Sequence, residues 1–203
     1  MHLRMDNHGI LNKFSLEIPD RRLYMRLGYT RKTAVISENI REMIRAEKEN
    51  LIDLAQTGSI FRIMDYENTN KHPIFAGAEK VALCICTIGG KLEARCAELM
   101  ARNEMVRALI LDSLGSEAVE AVAEQSDERL ARKALQSNLW PSRRFSPGYG
   151  QWDIKEQRYL FQVLSAVDIG VELSPTCMML PRKSVSFRIN FYGDKSLSRR
   201  RMS

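Results

Sequence analysis

Arg144-Phe-Ser-Pro-Gly148-Tyr149 combines residue types that can hold a small polar ligand. The arginine presents a planar fork of donors matched to a carboxylate. Pro147 stiffens the backbone, and Gly148 lets main chain come close to a bound group. Tyr149 adds a flat ring. A small molecule carrying both a carboxylate and an aromatic base fits this combination. About thirty residues later comes Met178-Met-Leu-Pro181-Arg-Lys-Ser184-Val-Ser186, in which two adjacent cations precede two serines. Plainer roles fit the same residues. Arg144 suits a surface ion pair with Glu124 or Asp153, Gly148 with Gly150 suits a proline–glycine turn, and Arg182, Lys183 and Ser184 suit a surface turn before a strand.

The elements that must position these residues follow from pattern and punctuation. Phe14-Ser-Leu16-Glu-Ile18 alternates like an edge strand stopped by Pro19. Arg21 to Leu27 reads as one or two helical turns ended by Gly28. Ser37 opens a helix with an apolar stripe of Ile40, Ile44, Leu51, Ile52 and Leu54, closed by Thr57-Gly58. Ser59–Tyr66 and Lys80–Thr87 are strand candidates, separated by a loop from Glu67 to Pro73. Gly89-Gly90 ends a strand and opens a helix to about Arg102, either as a tight turn or as a presenter of amides to an anion. Asn103 caps a further helix in which Gly115 permits a close helix–helix or helix–ligand approach, and the helix continues to about Leu135. Asp153 starts another helix reaching Ala166, with Glu156 as its capping-box partner. Short strands follow around Val171–Leu173, Met178–Leu180 and Ser184–Phe191. Helices and strands mix without regular βαβ alternation. The expectation is one α+β domain, a largely antiparallel sheet with long helices packed on it.

Composition narrows the class. The chain has 203 residues, 44% hydrophobic and 28% charged, which supports one ordinary buried core rather than disorder. No run of apolar residues is long enough for a membrane span, and the start of the chain (His2, Arg4, Asp6, His8) lacks the apolar core of a secretory signal. A cytoplasmic setting is expected, with no membrane partner. The net charge is +6, and Lys195-Ser-Leu-Ser-Arg199-Arg-Arg201 supplies four of those charges, so the body is only mildly basic. No aromatic residues interleave with that tail, and no nucleic-acid module accompanies it, so no nucleic-acid partner is expected. A solvated terminus is the simpler role. Cys84 and Cys86 face one side of their strand, in apolar surroundings and without zinc-type spacing, as Cys96 and Cys177 also lack it. All four are expected as structural free thiols.

Taken in order, Arg26-Leu-Gly-Tyr29, Thr87-Ile-Gly89, Asp112-Ser-Leu-Gly-Ser116, Val119-Glu120-Ala-Val-Ala-Glu124, the Arg144 motif and Pro181-Arg-Lys-Ser184 form a specific set. The set resembles the S-adenosylmethionine-binding activation domain of cobalamin-dependent methionine synthase, whose signature is Arg-x-x-x-Gly-Tyr. Free-standing relatives of that domain are the nearest in pattern. The resemblance covers residues 21–194, leaving 1–20 as an N-terminal extension and 195–203 as a basic tail.

This resemblance implies a reaction. Cobalamin that drifts to the inactive cob(II) state is restored by one electron and a methyl group from S-adenosylmethionine, the domain contributing proximity and orientation. By correspondence, Arg144 grips the methionyl carboxylate, Gly148 and Tyr149 line the adenosine pocket, and Glu120 faces the cationic part of the ligand, with Glu124 as its alternate. Arg182, Lys183 and Ser184 frame the cofactor-facing side. The chain departs from the family member fused within methionine synthase in having no tyrosine beyond Tyr192. It also lacks an Asp-x-His-x-x-Gly motif, since Asp6-Asn-His8-Gly9 has the wrong spacing. Cobalamin is therefore expected from a partner, a corrinoid-binding methionine synthase or related methyltransferase, with an electron donor such as flavodoxin or ferredoxin. The alternative is a non-catalytic module that only docks on a corrinoid protein.

Overall fold

Lys80–Thr87 and Ser184–Tyr192 pair antiparallel along their length, with Cys84 opposite Phe187 and Lys80 opposite Phe191. They are the centre of a five-stranded sheet. The computed structural model of the chain describes residues 8–29 and 36–200, without the side chains of 199 and 200. The readings placed on His2, Arg4, Asp6 and Arg201 lie outside the described residues. In chain order the elements are β1 (His8–Leu11), α1 (Asp20–Arg26), α2 (Glu38–Leu54), β2 (Gly58–Asp65), β3 (Lys80–Thr87), α3 (Lys91–Ala101), α4 (Met105–Gln136) and β4 (Trp140–Pro141). Then come α5 (Gln157–Val163), β5 (Glu172–Leu173), β6 (Met179–Leu180), β7 (Ser184–Tyr192) and α6 (Lys195–Arg200). The main sheet runs β1-β2-β3-β7-β4, antiparallel at every pairing, and β5 with β6 forms a separate hairpin. The α+β architecture with an antiparallel sheet is thus the one the pattern indicates.

Period-two alternation explains the layering. Phe61, Ile63, Cys84, Cys86, Phe187 and Ile189 share one core with Leu114, Ala118 and Val122 of α4. Val81, Leu83 and Ile85 point the other way, into a core with Phe75, Trp152 and Leu160. Helices α1 to α4 therefore cover one face, and α5 with short turns covers the other.

The 32-residue α4 is the spine to which both candidate motifs attach. Gly115 allows α3 to lie close, since a Cβ there would stand 2.8 Å from Leu92 Cδ2. Of the two approaches expected at Gly115, the helix–helix one is present.

Four local readings need correction. The edge strand is His8–Leu11, not Phe14–Ile18: the Ser15 N–H and C=O both bond the Gln125 side chain, so that stretch straps across α4 instead of pairing in the sheet. Asn103 does not cap α4. It sits at φ +60°, just past the end of α3, and Glu104 takes the N-cap position. The helix begun at Asp153 is shorter than expected, a 3-10 turn (Ile154–Glu156) leading into α5. Asp153 Oδ1 accepts from Lys155 N, while Glu156 Oε2 is taken by Asn70 Nδ2 at 3.4 Å and so does not close a capping box. Ile52 is exposed and does not belong to the buried stripe of α2. The tail starts as α6, with Lys195 Nζ 4.6 Å from the centre of the Trp140 ring.

Candidate functional site

Phe145 exchanges both backbone hydrogen bonds with Arg188 of β7, at 3.0 and 2.9 Å. That pairing extends the sheet edge past β4 and sends adjacent side chains to opposite faces. Phe145 stacks on Trp152 with centroids 6.4 Å apart, whereas the Arg144 guanidinium lies 5.9 Å from the Phe187 ring on the helix face. There Arg144 Nη2 donates to Glu120 Oε2 at 2.7 Å. The two side chains are 25% and 36% exposed, open enough to meet a ligand and sheltered enough for the charges to matter.

Glu120 also lines a groove of about 460 Å3 between α1 and α4, together with Arg22, Met25, Arg26, Glu117 and Glu124. The three glutamates stand at i, i+3 and i+7, one face of α4. Each has its own arginine: Arg26 Nε–Glu117 Oε1 at 2.6 Å, Arg144–Glu120 at 2.7 Å, and Arg22 Nη1–Glu124 Oε2 at 3.0 Å. Arg144 therefore pairs with Glu120 rather than with Glu124 or Asp153. One helical turn or so beyond, burial pushes the Asp127 carboxyl up, and the positive charge of Arg144 opposes that shift.

Gly148 and Tyr149 lie in a turn that bonds to itself. Gly148 N donates to Trp152 O at 2.7 Å and Trp152 N to Tyr149 O at 3.1 Å. Gly148 has φ +91°, a conformation that other residues adopt only with strain. The Tyr149 ring is 68% exposed. The turn expected of Gly148-Tyr149 is present, and it holds the backbone while leaving the ring exposed.

The second motif anchors on α4 as well. Lys183 Nζ reaches Asp112 Oδ1 and Ser116 Oγ, both at 2.8 Å, and Lys183 N donates to Glu93 Oε1 at 2.8 Å. Ser184 is buried and donates to Thr87 Oγ1 at 2.9 Å. Arg182 is exposed. Lys183 and Ser184 hold the loop, and Arg182 is the member of the trio presented to solvent. The Gly89 amide donates to Thr87 Oγ1 at 3.1 Å, as in a tight turn.

Sequence reading did not place Arg22, Arg26 or Glu117 in a site. Arg26–Glu117 and Arg22–Glu124 join residues 91 and 102 positions apart, and no local pattern announces such pairs. The one available signal was the shared helical face of Glu117, Glu120 and Glu124. All four cysteines are buried, with Cys84 and Cys86 sulfurs 3.7 Å apart beneath α4. Among the described residues no helix is long and apolar enough to cross a membrane.

Residues 42–196 match the family model described as the activation domain of vitamin B12 dependent methionine synthase. Among solved structures the chain is similar to the crystal structure of the MetH reactivation domain bound to AdoHcy, with a TM-score of 0.69. That likeness covers 93% of this chain and 79% of the other at 14% identity, which establishes a shared fold. No curated protein matches the chain.

Proposed function

The chain belongs to the activation-domain family of vitamin B12 dependent methionine synthase, and we propose that it is a free-standing reactivation domain that binds S-adenosylmethionine and supports reductive methylation of cobalamin on a separate corrinoid protein. The observation that carries this reading is the Arg144–Glu120 pair at the groove between α1 and α4. It sets a carboxylate-binding fork and a carboxylate side by side, the two charges that an amino-acid head group needs. Fold likeness to a domain with AdoHcy bound supports the same ligand class.

In this reading Arg144 takes the methionyl carboxylate and Glu120 the ammonium. The exposed Tyr149 ring packs on the adenosine, while Gly148 keeps backbone close to it. Arg182, with the exposed Met178 and Leu180 beside it, faces the partner. S-adenosylmethionine would supply the activated methyl, and the partner's cobalamin, reduced by a donor of the flavodoxin or ferredoxin type, would supply the nucleophile that receives it. The chain's own role is to hold and orient the methyl donor.

A docking module without methyl transfer is the second reading. The internal pairing of Arg144 with Glu120 favours it, because a ligand must separate groups that already satisfy each other. A reconstitution assay distinguishes the readings. The purified chain should be colourless. With a corrinoid protein, a low-potential donor and S-adenosylmethionine it should restore methylated cofactor, followed by absorption. Stoichiometric cobalamin in the isolated chain would refute action in trans, and partner binding without methylation would establish the docking module.

A further inference from the structure

We infer that the sheet face opposite the Arg144–Glu120 pair carries a second ligand site, built around the buried Arg188 and fitted to a monocarboxylate with a compact apolar body. The register of β3 and β7 is the first ground. Val81, Leu83 and Ile85 of β3 point away from α4 and are fully buried. Their partners on β7 are Asn190, Arg188 and Ser186. Cross-strand partners share a face, so the pattern of this core calls for apolar side chains at all three positions. A cation that is 8% exposed in the middle of such a face costs desolvation that packing alone does not offset. Asn190 is fully buried as well, and its Oδ1 has no hydrogen-bond partner. Departures from the core pattern concentrate at functional sites.

Arg188 lines a cavity with His72, Pro73, Ile74, Phe145 and Gln151. Its guanidinium is held in place: Nη1 donates to Ser142 Oγ at 3.1 Å, and the group lies 5.4 Å from the centre of the Phe145 ring. His72 Nδ1 accepts from Ile74 N at 3.2 Å, which leaves Nε2 as the donor of that ring. Asn190 Nδ2 fixes the same wall by donating to Ile74 O at 2.9 Å. Among the described residues, no acidic side chain lines the cavity. One guanidinium matches one carboxylate in charge and in geometry. A phosphate dianion would bring a second charge, for which the wall holds no second arginine or lysine. Pro73, Ile74 and Phe145 supply the apolar surface for the body of the ligand. The site is distinct from the one proposed above, because the Arg144 guanidinium lies by Phe187 on the helix face.

Calorimetric titration of the full chain with four probes tests the site. Benzoate has both the charge and the body, benzamide the body alone, acetate the charge alone, and inorganic phosphate is the competing oxyanion. Benzoate should bind at least about tenfold more tightly than each of the other three. Arg188→Gln should weaken benzoate by at least about tenfold, whereas Arg144→Gln should leave it within about twofold of the wild type. Gln151 is exposed, so Gln151→Glu preserves the fold while adding an anion to the wall. It should weaken benzoate several-fold, and it reads the site even if Arg188→Gln fails to fold. No heat of benzoate binding at millimolar ligand would overturn the site. Benzamide, acetate or phosphate binding as well as benzoate would overturn the ligand class. A loss of benzoate affinity in Arg144→Gln with none in Gln151→Glu would move the probe to the helix face and overturn the proposal. None of these outcomes depends on S-adenosylmethionine, so the two readings stand or fall separately.

Discussion

Lys183 reaches Asp112 at 2.8 Å, two turns of α4 before Glu120, the residue that holds Arg144. Asp112, Ser116 and Glu120 stand at i, i+4 and i+8, so the two sequence motifs that looked separate lean on a single stripe of one helix. The stripe fixes the loop of one motif by a lysine and the edge segment of the other by an arginine. A change at the lysine contact is therefore expected to act on fold stability, and at the arginine contact on ligand binding.

Lys183→Met tests the stability contact. It keeps the length of the stem and removes the charge, abolishing the bonds to Asp112 and Ser116. Asp112 is half exposed and hydrates readily, so a loss of about 1 kcal/mol is expected. Thermal unfolding should shift by about 2–4 °C, with little change in the affinity for S-adenosylmethionine. A large loss of affinity at unchanged stability would place Lys183 in the ligand site.

Gly115→Ala should destabilise despite alanine's better helix propensity. The added Cβ would meet Leu92 Cδ2 at 2.8 Å, and Leu92 is fully buried, with nowhere to swing. Overpacking of this kind costs roughly 1–3 kcal/mol, against about 1 kcal/mol gained from propensity. Urea denaturation should give a net loss. A gain would mean that α3 and α4 separate easily.

Cys96 gives a pH dependence. Burial, assisted by the Asp112 carboxylate, pushes its thiol from the usual 9.0 up to about 11. The folded state thus keeps the thiol protonated where the unfolded chain ionises. The associated stability is fully present below pH 9.0 and is lost as the pH rises toward 11. Chemical denaturation across that window should show the fall, and Cys96→Ala should lessen it, the remainder coming from Cys84, whose buried thiol is also pushed up. Native alkylation at pH 8 should leave all four buried thiols unreacted, while denatured, non-reduced protein should show four. Native labelling of Cys96 at pH 8 would contradict its burial.

These cases also show what the chain discloses before folding. Lys80–Thr87 and Ser184 onward were legible as strands because β-branched and aromatic residues run together between turn residues. The helix of Glu38–Leu54 was legible because Ser37 caps it and its apolar residues recur at helical spacing. By contrast β1 has four residues, one of them Gly9, too few for alternation to register. β4 contains Pro141, which ordinarily argues against a strand and is tolerated here at the sheet edge. Within the candidate site, Arg144 and Glu120 stood out through the family pattern. Arg22 did not, and Arg26 belonged to the pattern without a site role, since only the packing of α1 on α4 brings the two to the glutamates.

Titration of the chain with S-adenosylmethionine, wild type against Arg144→Ala and Arg144→Lys, tests the ligand assignment on which the proposed function rests. Binding at one site per chain is expected. Arg144→Ala should weaken it by at least about tenfold, the effect of removing one charge-assisted hydrogen-bond partner. Arg144→Lys should restore only some of the loss, because lysine keeps the charge and loses the fork. Affinity unchanged in both variants, or no heat of binding in the wild type at millimolar ligand, would contradict the assignment.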